Sequence, residues 1–424
     1  MNEARSPFQR AGSAASAERL HARVAGALAR AEDRIRRLAL DLHRIPERGS
    51  EEVLTVTRMA GELEEEGFTV TTGIGGMATA FRAERVLGAG GASVGLLAEY
   101  DAIPGLGHAA GHNLICAATW GAAVALAGLC GSCPGRIVVI GAPAEETFGG
   151  KVVLARRGVL DDLDVALLAH PWSEDRAIAS TLASWSFEVT FTGRPAHAVV
   201  SPERGIDALD AMIRLFVART SLVAEFGDGV SLPGVILEGG VRPNVVPDRA
   251  RARFSLRAPT AEMLAGHVVP GFRRMAEEIA RATGAGVELR PIDNLYEEMV
   301  PNPVLAELWA RHARAAGIEP ATDPGRPIGS LDIGVLSHRV PALHPLFAIS
   351  DRRLSTHTRA FAAACAEPAA LAATVRAAGM LAATAVDLFV RPRLMDRVRA
   401  AHEDGACRGT PAVEAPLVTG PIEP

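Results

Sequence analysis

Hydrophobic positions near the start of the chain recur at helical spacing and then give way to short, continuous apolar runs. The helical positions are Leu20, Val24, Leu28, Ile35, Leu38 and Leu42, and they predict one long amphipathic helix. The apolar runs at Val94–Glu99, Arg136–Ala142 and Val165–Ala169 alternate with helical segments. Strands buried on both faces read as continuous apolar runs, so the alternation predicts an α/β fold: a mostly parallel sheet with helices on both faces.

A different pattern begins near Ala183, where SWSFEVTFTGR alternates apolar and polar residues like a half-exposed strand. The elements that follow are a helix at Ile206–Ala218, strands near Val235 and at Arg251–Arg257, a helix at Ala261–Thr283 and a strand at Val287–Pro291. This β-α-β-β-α-β order predicts a small α+β domain of the ferredoxin-like type, inserted into the larger one. The α/β pattern resumes after Asn294 and ends in an Ala-rich helix, Pro368–Leu388.

The chain has 424 residues, more than one hydrophobic core usually supports. We therefore expect a main α/β domain in two parts, residues 17–182 and 293–390, interrupted by the inserted domain at 183–292. Residues 391–424 are expected to form a C-terminal helix and a Pro-rich tail, and residues 1–16 a polar tail.

Composition and charge narrow the choice of partners. The net charge is −5. The sequence has no run of basic residues, and no alternation of basic and aromatic residues, that could bind along a phosphate backbone. Nucleic acid is therefore not an expected partner. The uncharged stretch from Asn113 to Gly135 is rich in Ala and Gly and ends in a Gly-Ser-Cys-Pro-Gly turn, which favours a buried helix over a membrane span. The charged N-terminus lacks the pattern of a secretory signal, and the five cysteines fit a reducing compartment, so the expected location is cytoplasmic.

Polar residues follow the predicted strands in the places where an open α/β sheet usually carries its site. The first strand runs into a Gly-rich turn that bears Asp101, His108 and His112. The next ends in the adjacent carboxylates Glu145 and Glu146, of which one can ligate a metal while the other holds a water molecule. His170 ends a third apolar run, and His357 precedes the last helices. For any one of these histidines a capping or surface role is as good an explanation, but together they indicate a metal site.

These segments resemble the aminoacylase and carboxypeptidase-like metallopeptidase family, in the branch of p-aminobenzoyl-glutamate hydrolases and auxin-conjugate amidohydrolases. The motifs that carry the resemblance are EYDAIPGLGHAAGHN, PAEETFGGKVVLARRGVLDD, LLAHP, GRPAHAVVSPERGIDALDA, GGVRPNVVPD, DIGVLSHRVPALHPLFAI and STHT. The resemblance implies that His112, Glu146, His170 and His357 bind a divalent metal.

The resemblance also implies roles for residues that do not bind the metal. It makes Glu145 the general base that takes a proton from the activated water. In the inserted domain, His197 would polarise the substrate, in some relatives from the partner subunit, and Asn244 would contact the substrate. Arg204 is a weaker candidate for binding a substrate carboxylate. The inserted domain is expected to serve as a lid and to form a homodimer.

One position departs from this branch, which usually reads GHACGH and uses the cysteine as a metal ligand or bridge. Here the residue is Ala110, which can ligate nothing. The site is then expected to hold one or two metal ions, with His108 or Asp101 as possible substitute ligands. Loss of a thiolate shifts the preference from zinc towards manganese. Cys116 is expected to be a packed core thiol.

The altered site leaves the reaction open among three hypotheses. A weakened second metal favours a hydrolytic deaminase of an aromatic amine carboxylate resembling 5-nitroanthranilate, which would release ammonia. The alternative is an amidohydrolase of N-acyl or aminobenzoyl amino acids. A protein of another class, a metal-free binding scaffold, is supported only by Ala110. Retention of both Glu145 and Glu146 argues against it, because two adjacent buried carboxylates without a metal repel each other.

Overall fold

The structure is a computed structural model that describes residues 7–406 and 415–420. Cys407 and much of the predicted Pro-rich tail lie outside the described residues. The helices are α1 (Pro7–His43), α2 (Val53–Glu65), α3 (His112–Ala127), α4 (Gly150–Arg156), α5 (Ala208–Phe226), α6 (Ala261–Met263), α7 (Val269–Thr283), α8 (Pro303–Ala315), α9 (Gly334–Ser337), α10 (Arg359–Ala364), α11 (Pro368–Val390) and α12 (Pro392–Ala406).

The strands are β1 (Thr69–Thr72), β2 (Phe81–Gly88), β3 (Ser93–Glu99), β4 (Gly135–Ala142), β5 (Val165–Leu167), β6 (His170–Trp172), β7 (Ala183–Thr192), β8 (Gly234–Glu238), β9 (Arg249–Ala258), β10 (Gly286–Pro291), β11 (Ala342–Leu343) and β12 (Leu346–Ala348). These elements belong to two compact units. The inserted unit consists of Thr181–Met299, Gly329–Gly334 and the described tail residues 415–420, and the main unit contains the other described residues.

The main unit is built on a six-stranded sheet in the order β1-β2-β4-β3-β5-β11. The pairs β4–β3, β3–β5 and β5–β11 are parallel, whereas β1 and β2 form an antiparallel edge. Every residue of β3 is buried. Because neighbouring side chains of a strand point to opposite faces, β3 is covered on both faces. The predicted α/β class with a mostly parallel sheet is confirmed.

Three helices of the main unit, α1, α3 and α11, pack against one another. Gly121 of α3 permits this close approach, since a Cβ atom there would lie 2.6 Å from the Cδ1 atom of Ile35 in α1. Nearly every residue of α3 is buried, which confirms the predicted Ala-rich core helix. Within the described part of the chain, α11 is long and apolar enough to cross a membrane, and 67% of that apolar window is buried.

The inserted unit has a four-stranded antiparallel sheet in the order β10-β7-β9-β8. Alternate residues of β9 are buried, and α5 and α7 pack over the sheet strands. This order and the β-α-β-β-α-β sequence of elements give the predicted ferredoxin-like sandwich. The tail returns to this unit, where the main chain of Val418 forms two hydrogen bonds with the amide side chain of Asn294, at 2.8 and 2.9 Å.

The inserted unit also takes in residues 293–299 and 329–334, which the prediction assigned to the main domain. Two helices differ from the prediction by eight residues or more at one end. Helix α1 begins at Pro7, so the expectation of a polar tail through residue 16 was wrong for residues 7–16. Helix α5 continues to Phe226, eight residues beyond the predicted end at Ala218, because its apolar spacing carries on through Leu222 and Val223. Helix boundaries are the least certain feature of a periodicity pattern.

Candidate metal centre

The centre begins where β3 ends at Glu99 and the chain turns through Asp101 to His112, the first residue of α3. The Nδ1–H group of His112 donates a hydrogen bond of 2.7 Å to the main-chain oxygen of Asp101, whose Oδ1 atom lies 3.3 Å from the same nitrogen. Gly111 directly precedes the helix with φ of 84°, and a Cβ atom there would lie 2.4 Å from Pro171. Only glycine fits both the backbone conformation and the contact.

Strand β4 leads into the loop that carries the two adjacent glutamates. Ala144 has a φ of 62°, an unfavourable value for a residue with a Cβ atom, and its N–H group donates to the carboxylate of Glu52 at 2.9 Å. The next turn is held by a hydrogen bond from the N–H group of Glu146 to Oδ2 of Asp101, at 2.9 Å. Asp101 therefore joins this loop to the main-chain turn that positions His112.

Two more histidines approach from β6 and from the loop before α10. His170 has its Nδ1 atom 2.8 Å from the main-chain oxygen of Pro171, which leaves Nε2 for another partner. Its ring lies edge-on to that of His112, with 6.0 Å between centroids. His357 adopts a φ of 60° and places Nε2 3.2 Å from a carboxylate oxygen of Glu146.

The ligand atoms of these residues form two overlapping groups. Those of Glu99, His112 and His170 lie within 4.8 Å of one another, and so do those of His112, Glu145 and Glu146. Two ligands of one tetrahedral ion with bonds of about 2.1 Å lie about 3.4 Å apart. The Nε2 atom of His112, common to both groups, is buried and has no hydrogen-bond partner among the described residues. The residues therefore fit a divalent metal, with nitrogen and oxygen donors and without a thiolate.

The charges of the centre favour a cation. Burial opposes the charged form of His112, but the hydrogen bond and charge of Asp101, with the charges of Glu99 and Glu146, raise its pKa to about 10. Burial would raise the pKa of Glu99, but Lys151, whose Nζ atom lies 2.6 Å away, and His112 lower it to about 2. Burial lowers the pKa of His170 to about 4, which keeps this histidine in the neutral form that binds metals.

Four further residues that shape the centre were not predicted from the sequence. Glu99 and Lys151 form a fully buried ion pair, and Glu52 supports the strained Ala144. His344 has no hydrogen-bond partner on either ring nitrogen among the described residues, and its ring centroid lies 5.3 Å from that of His170. The signal was present for Glu99 alone, as an acidic residue at the end of an otherwise apolar strand, two positions before Asp101.

His108 and Asp101, the proposed substitutes for the missing thiolate, have different surroundings. The Nε2 atom of His108 is 3.0 Å from the main-chain oxygen of Leu42 in α1. Asp101 contacts His112 and the main chain of Glu146, as described above. The thiol of Cys116 is buried and donates to the main-chain oxygen of Glu99 at 3.0 Å, a packed position one helical turn after His112.

The other predicted site residues belong to the inserted unit and are exposed. The Nδ1 atom of His197 accepts hydrogen bonds of 3.2 Å from the N–H groups of Val199 and Val200. This arrangement leaves the proton of the neutral ring on Nε2, where it can be donated. The main-chain oxygen of Asn244 accepts a hydrogen bond of 3.0 Å from Ala198, which ties the two loops together. Arg204 is 82% exposed.

A mostly parallel sheet with histidines and carboxylates that converge near strand ends, and a separate α+β unit, are features of a two-domain metal-dependent hydrolase. Residues 181–269 match the peptidase dimerisation domain of the M20 family. The Xaa-Arg dipeptidase of Mus musculus is 34% identical over 340 residues, which cover 76% of this chain and 78% of that protein. The chain belongs to the M20 family, in agreement with the resemblance seen in its motifs.

Two further comparisons are with other hydrolases of this kind. It is 32% identical over 260 residues to one of the p-aminobenzoyl-glutamate hydrolase proteins of Escherichia coli strain K12, covering 55% of this chain and 52% of that protein. A dinuclear metal-binding M20 peptidase of Bacillus subtilis has the same fold, with a TM-score of 0.61 at 22% identity over 84% of this chain and 98% of that one. The chain is therefore an enzyme that hydrolyses C–N bonds other than typical peptide bonds, and not the scaffold considered above.

Proposed function

We propose that this enzyme hydrolyses the C–N bond of a small carboxylated substrate at a divalent metal bound by His112, Glu146, His170 and His357. The observation that carries the proposal is the grouping of His170 and Glu146 with His112, whose buried Nε2 atom has no hydrogen-bond partner among the described residues. His357 contacts Glu146 but belongs to neither group of ligand atoms. A divalent metal bound there would lower the pKa of a water molecule and neutralise charge that develops during attack. The donors are nitrogen and oxygen atoms, which favours manganese over zinc.

Glu145 acts as the general base in this proposal. It is 7% exposed, and its Oε2 atom lies 3.9 Å from the Nε2 atom of His112. A carboxylate in this position can take a proton from the attacking water and return it to the departing nitrogen. Glu146, the next residue, is then left to bind the metal.

The absence of a thiolate ligand supports one particular reaction, the release of ammonia from an aromatic amine carboxylate similar to 5-nitroanthranilate. Water adds to the ring carbon that bears the amino group, and electron-withdrawing ring substituents accept the negative charge. The ring C–N bond then breaks, and ammonia leaves with the proton that Glu145 returns. Such a ring accepts negative charge itself, so this reaction depends less on a second metal ion than amide hydrolysis at a dinuclear site does.

Hydrolysis of an amide is the second candidate, favoured by the similarity to the Xaa-Arg dipeptidase of Mus musculus and to the p-aminobenzoyl-glutamate hydrolase protein of Escherichia coli. The two reactions differ in their products. Amide hydrolysis releases a free amino acid or aryl amine and no ammonia.

One experiment separates these reactions. Purified enzyme is analysed for metal content and then assayed for ammonia with 5-nitroanthranilate and anthranilate, and for cleavage of p-aminobenzoyl-glutamate and a dipeptide ending in arginine. About one metal ion per chain with ammonia release supports the deaminase. Two metal ions with cleavage of the amides support the amidohydrolase. Protein without bound metal that turns over these substrates contradicts the metal-dependent mechanism.

The inserted unit is proposed to form a homodimer. His197 and Asn244 are proposed to act on the substrate, and Arg204 to bind a substrate carboxylate. The exposed apolar residues of this unit support a protein interface, among them Val199, Val200 and Val241. A reducing, cytoplasmic location is proposed on the basis of the free cysteines Cys116, Cys130, Cys133 and Cys365.

A further inference from the structure

We infer that Glu99 is a direct ligand of this metal centre and replaces the anionic donor that the alanine at position 110 cannot provide. The inference rests on the proposed function and adds a ligand that the family motifs do not assign. Its chemical consequence is a centre in which a hard carboxylate oxygen takes the place of a soft thiolate.

The position of Glu99 supports this role. The residue ends β3 and is 2% exposed, and its Oε2 atom lies 3.6 Å from the Nε2 atom of His112. This separation is close to the distance of about 3.4 Å between two ligands of one tetrahedral ion. His170 lies in the same group of ligand atoms. A metal at the centre of this group would also give the buried Nε2 atom of His112 the partner that it lacks among the described residues.

Lys151 prepares Glu99 for this role. Its Nζ atom is 2.6 Å from Oε1 of Glu99, and neither side chain is more than 3% exposed. An ammonium group buried in this way requires an ionised partner, so Glu99 remains charged. Because Lys151 binds one oxygen, the other oxygen is directed towards His112 and His170. The ion pair thus orients a carboxylate that is already in the form a metal binds.

The main alternative is that Glu99 only neutralises Lys151. The test compares binding of cobalt(II) by metal-free wild-type enzyme and by three variants: Glu99→Gln, Lys151→Met and the double variant with both substitutions. If Glu99 is a ligand, Glu99→Gln and the double variant both bind cobalt at least about 100-fold more weakly than the wild type. A loss of this size exceeds the loss expected from removing a residue that only orients a ligand. Lys151→Met alone retains Glu99 and binds cobalt more tightly than either of them.

Glu99→Gln leaves the ammonium group of Lys151 buried without its partner, whereas the double variant removes both charges. The double variant therefore still tests whether Glu99 only neutralises Lys151, even if Glu99→Gln is too unstable to study. Cobalt binding by the double variant at the wild-type affinity would overturn the inference. Glu65→Gln, which removes an exposed carboxylate from α2, is the control and is expected to bind like the wild type.

X-ray absorption at the cobalt edge provides a readout that does not depend on activity. The wild type is expected to show nitrogen and oxygen donors only. Adding Ala110→Cys to Glu99→Gln is expected to introduce a sulfur donor and to recover at least about tenfold of the lost affinity. Absence of a sulfur donor and of any recovered affinity in the Ala110→Cys, Glu99→Gln variant, together with wild-type affinity in Glu99→Gln, would overturn the inference while leaving the proposed function intact. Wild-type enzyme that binds no metal would instead contradict the proposed function.

Discussion

A histidine makes a well-directed metal ligand only if its second ring nitrogen is fixed, and Asp101 meets that requirement for His112. The main-chain oxygen of Asp101 accepts the Nδ1–H group, while its side chain accepts the N–H group of Glu146. One residue therefore sets the tautomer of one proposed ligand and the backbone position of another. Partners of this kind commonly change metal affinity by about 10- to 100-fold.

The proposed base gives the first prediction. Replacing Glu145 by glutamine removes the proton acceptor but keeps the size and most contacts of the side chain. The turnover number is expected to fall by about 10²- to 10⁴-fold. Metal content, measured by elemental analysis, is expected to remain at the wild-type value, because Glu146 and the histidines are unchanged.

The same substitution in the neighbouring carboxylate provides the comparison. Glu146→Gln is expected to lose metal as well as activity, since its carboxylate approaches His357. Equal loss of metal in the two variants would show that Glu145 is not simply a base.

Much of the centre could be predicted from the sequence, and the reason lies in its motifs. His112, Glu145, Glu146, His170 and His357 are found because each follows a recognisable strand or stands in a distinctive short motif. Lys151 could not be found in this way. It occupies the first turn of a short helix, where a lysine is normally exposed, and only the three-dimensional packing shows that it is buried against Glu99.

At the scale of the elements, three helices of the main unit are joined by one buried carboxylate. Asp387 of α11 is fully buried, and it accepts hydrogen bonds of 3.0 Å from His21 of α1 and His312 of α8. Arg311 and Arg391 also contact this carboxylate. Burial alone would raise the pKa of Asp387, but the hydrogen bonds from the two histidines and the charge of Arg391 lower it.

This lowered pKa leads to a prediction about stability and pH. An aspartate with a lowered folded-state pKa stabilises the fold above its unfolded-state pKa of about 3.9, and the stabilisation is lost as the pH falls towards the lowered value. Asp387→Ala is expected to reduce the free energy of unfolding by about 3 kcal/mol at pH 6, because it leaves the surrounding cations without their partner. The difference between variant and wild type should shrink at pH 3. Both values are measured by urea denaturation.

An exposed ion pair on α1 provides the control. Glu32→Ala removes the partner of Arg36 at the helix surface and is expected to cost at most about 1 kcal/mol at either pH. A cost for Asp387→Ala as small as this, or one that does not change with pH, would contradict the role given to the buried carboxylate.

The elements themselves could be predicted where the pattern was clear, from periodicity in α1 and β9 and from a continuous apolar run in β3. Their arrangement could not. Strand β4 lies between β2 and β3, and the tail returns to Asn294, because pairings between distant segments leave no local periodicity in the sequence. The same holds for Ala144 and His357, whose positive φ angles are imposed by the surrounding loops and are unusual for these residue types.

At the scale of the whole molecule, the inserted unit carries features of an interface. Its strand β8 is at the edge of the sheet, and Val235, Ile236 and Leu237 on this strand are all exposed. An exposed, apolar edge strand can pair with a strand of another chain, and monomeric proteins usually prevent this with charged residues on the edge strand. Ile213 and Val217 extend the apolar surface along α5. The match of this unit to a peptidase dimerisation domain agrees with these observations.

The last prediction follows from this surface. Replacing Val235 and Leu237 by lysine places two charges on the edge of β8, where they prevent apolar contact between two copies. The wild type is expected to be a dimer at micromolar concentration by light scattering, and the variant a monomer. If His197 acts from the partner subunit, the monomer should keep its metal but lose turnover. The control is the same double replacement at Val53 and Leu54 on α2 of the main unit, which are comparably exposed. A variant of β8 that remains dimeric would exclude this edge as the interface, and a fully active monomer would exclude catalysis across the subunits.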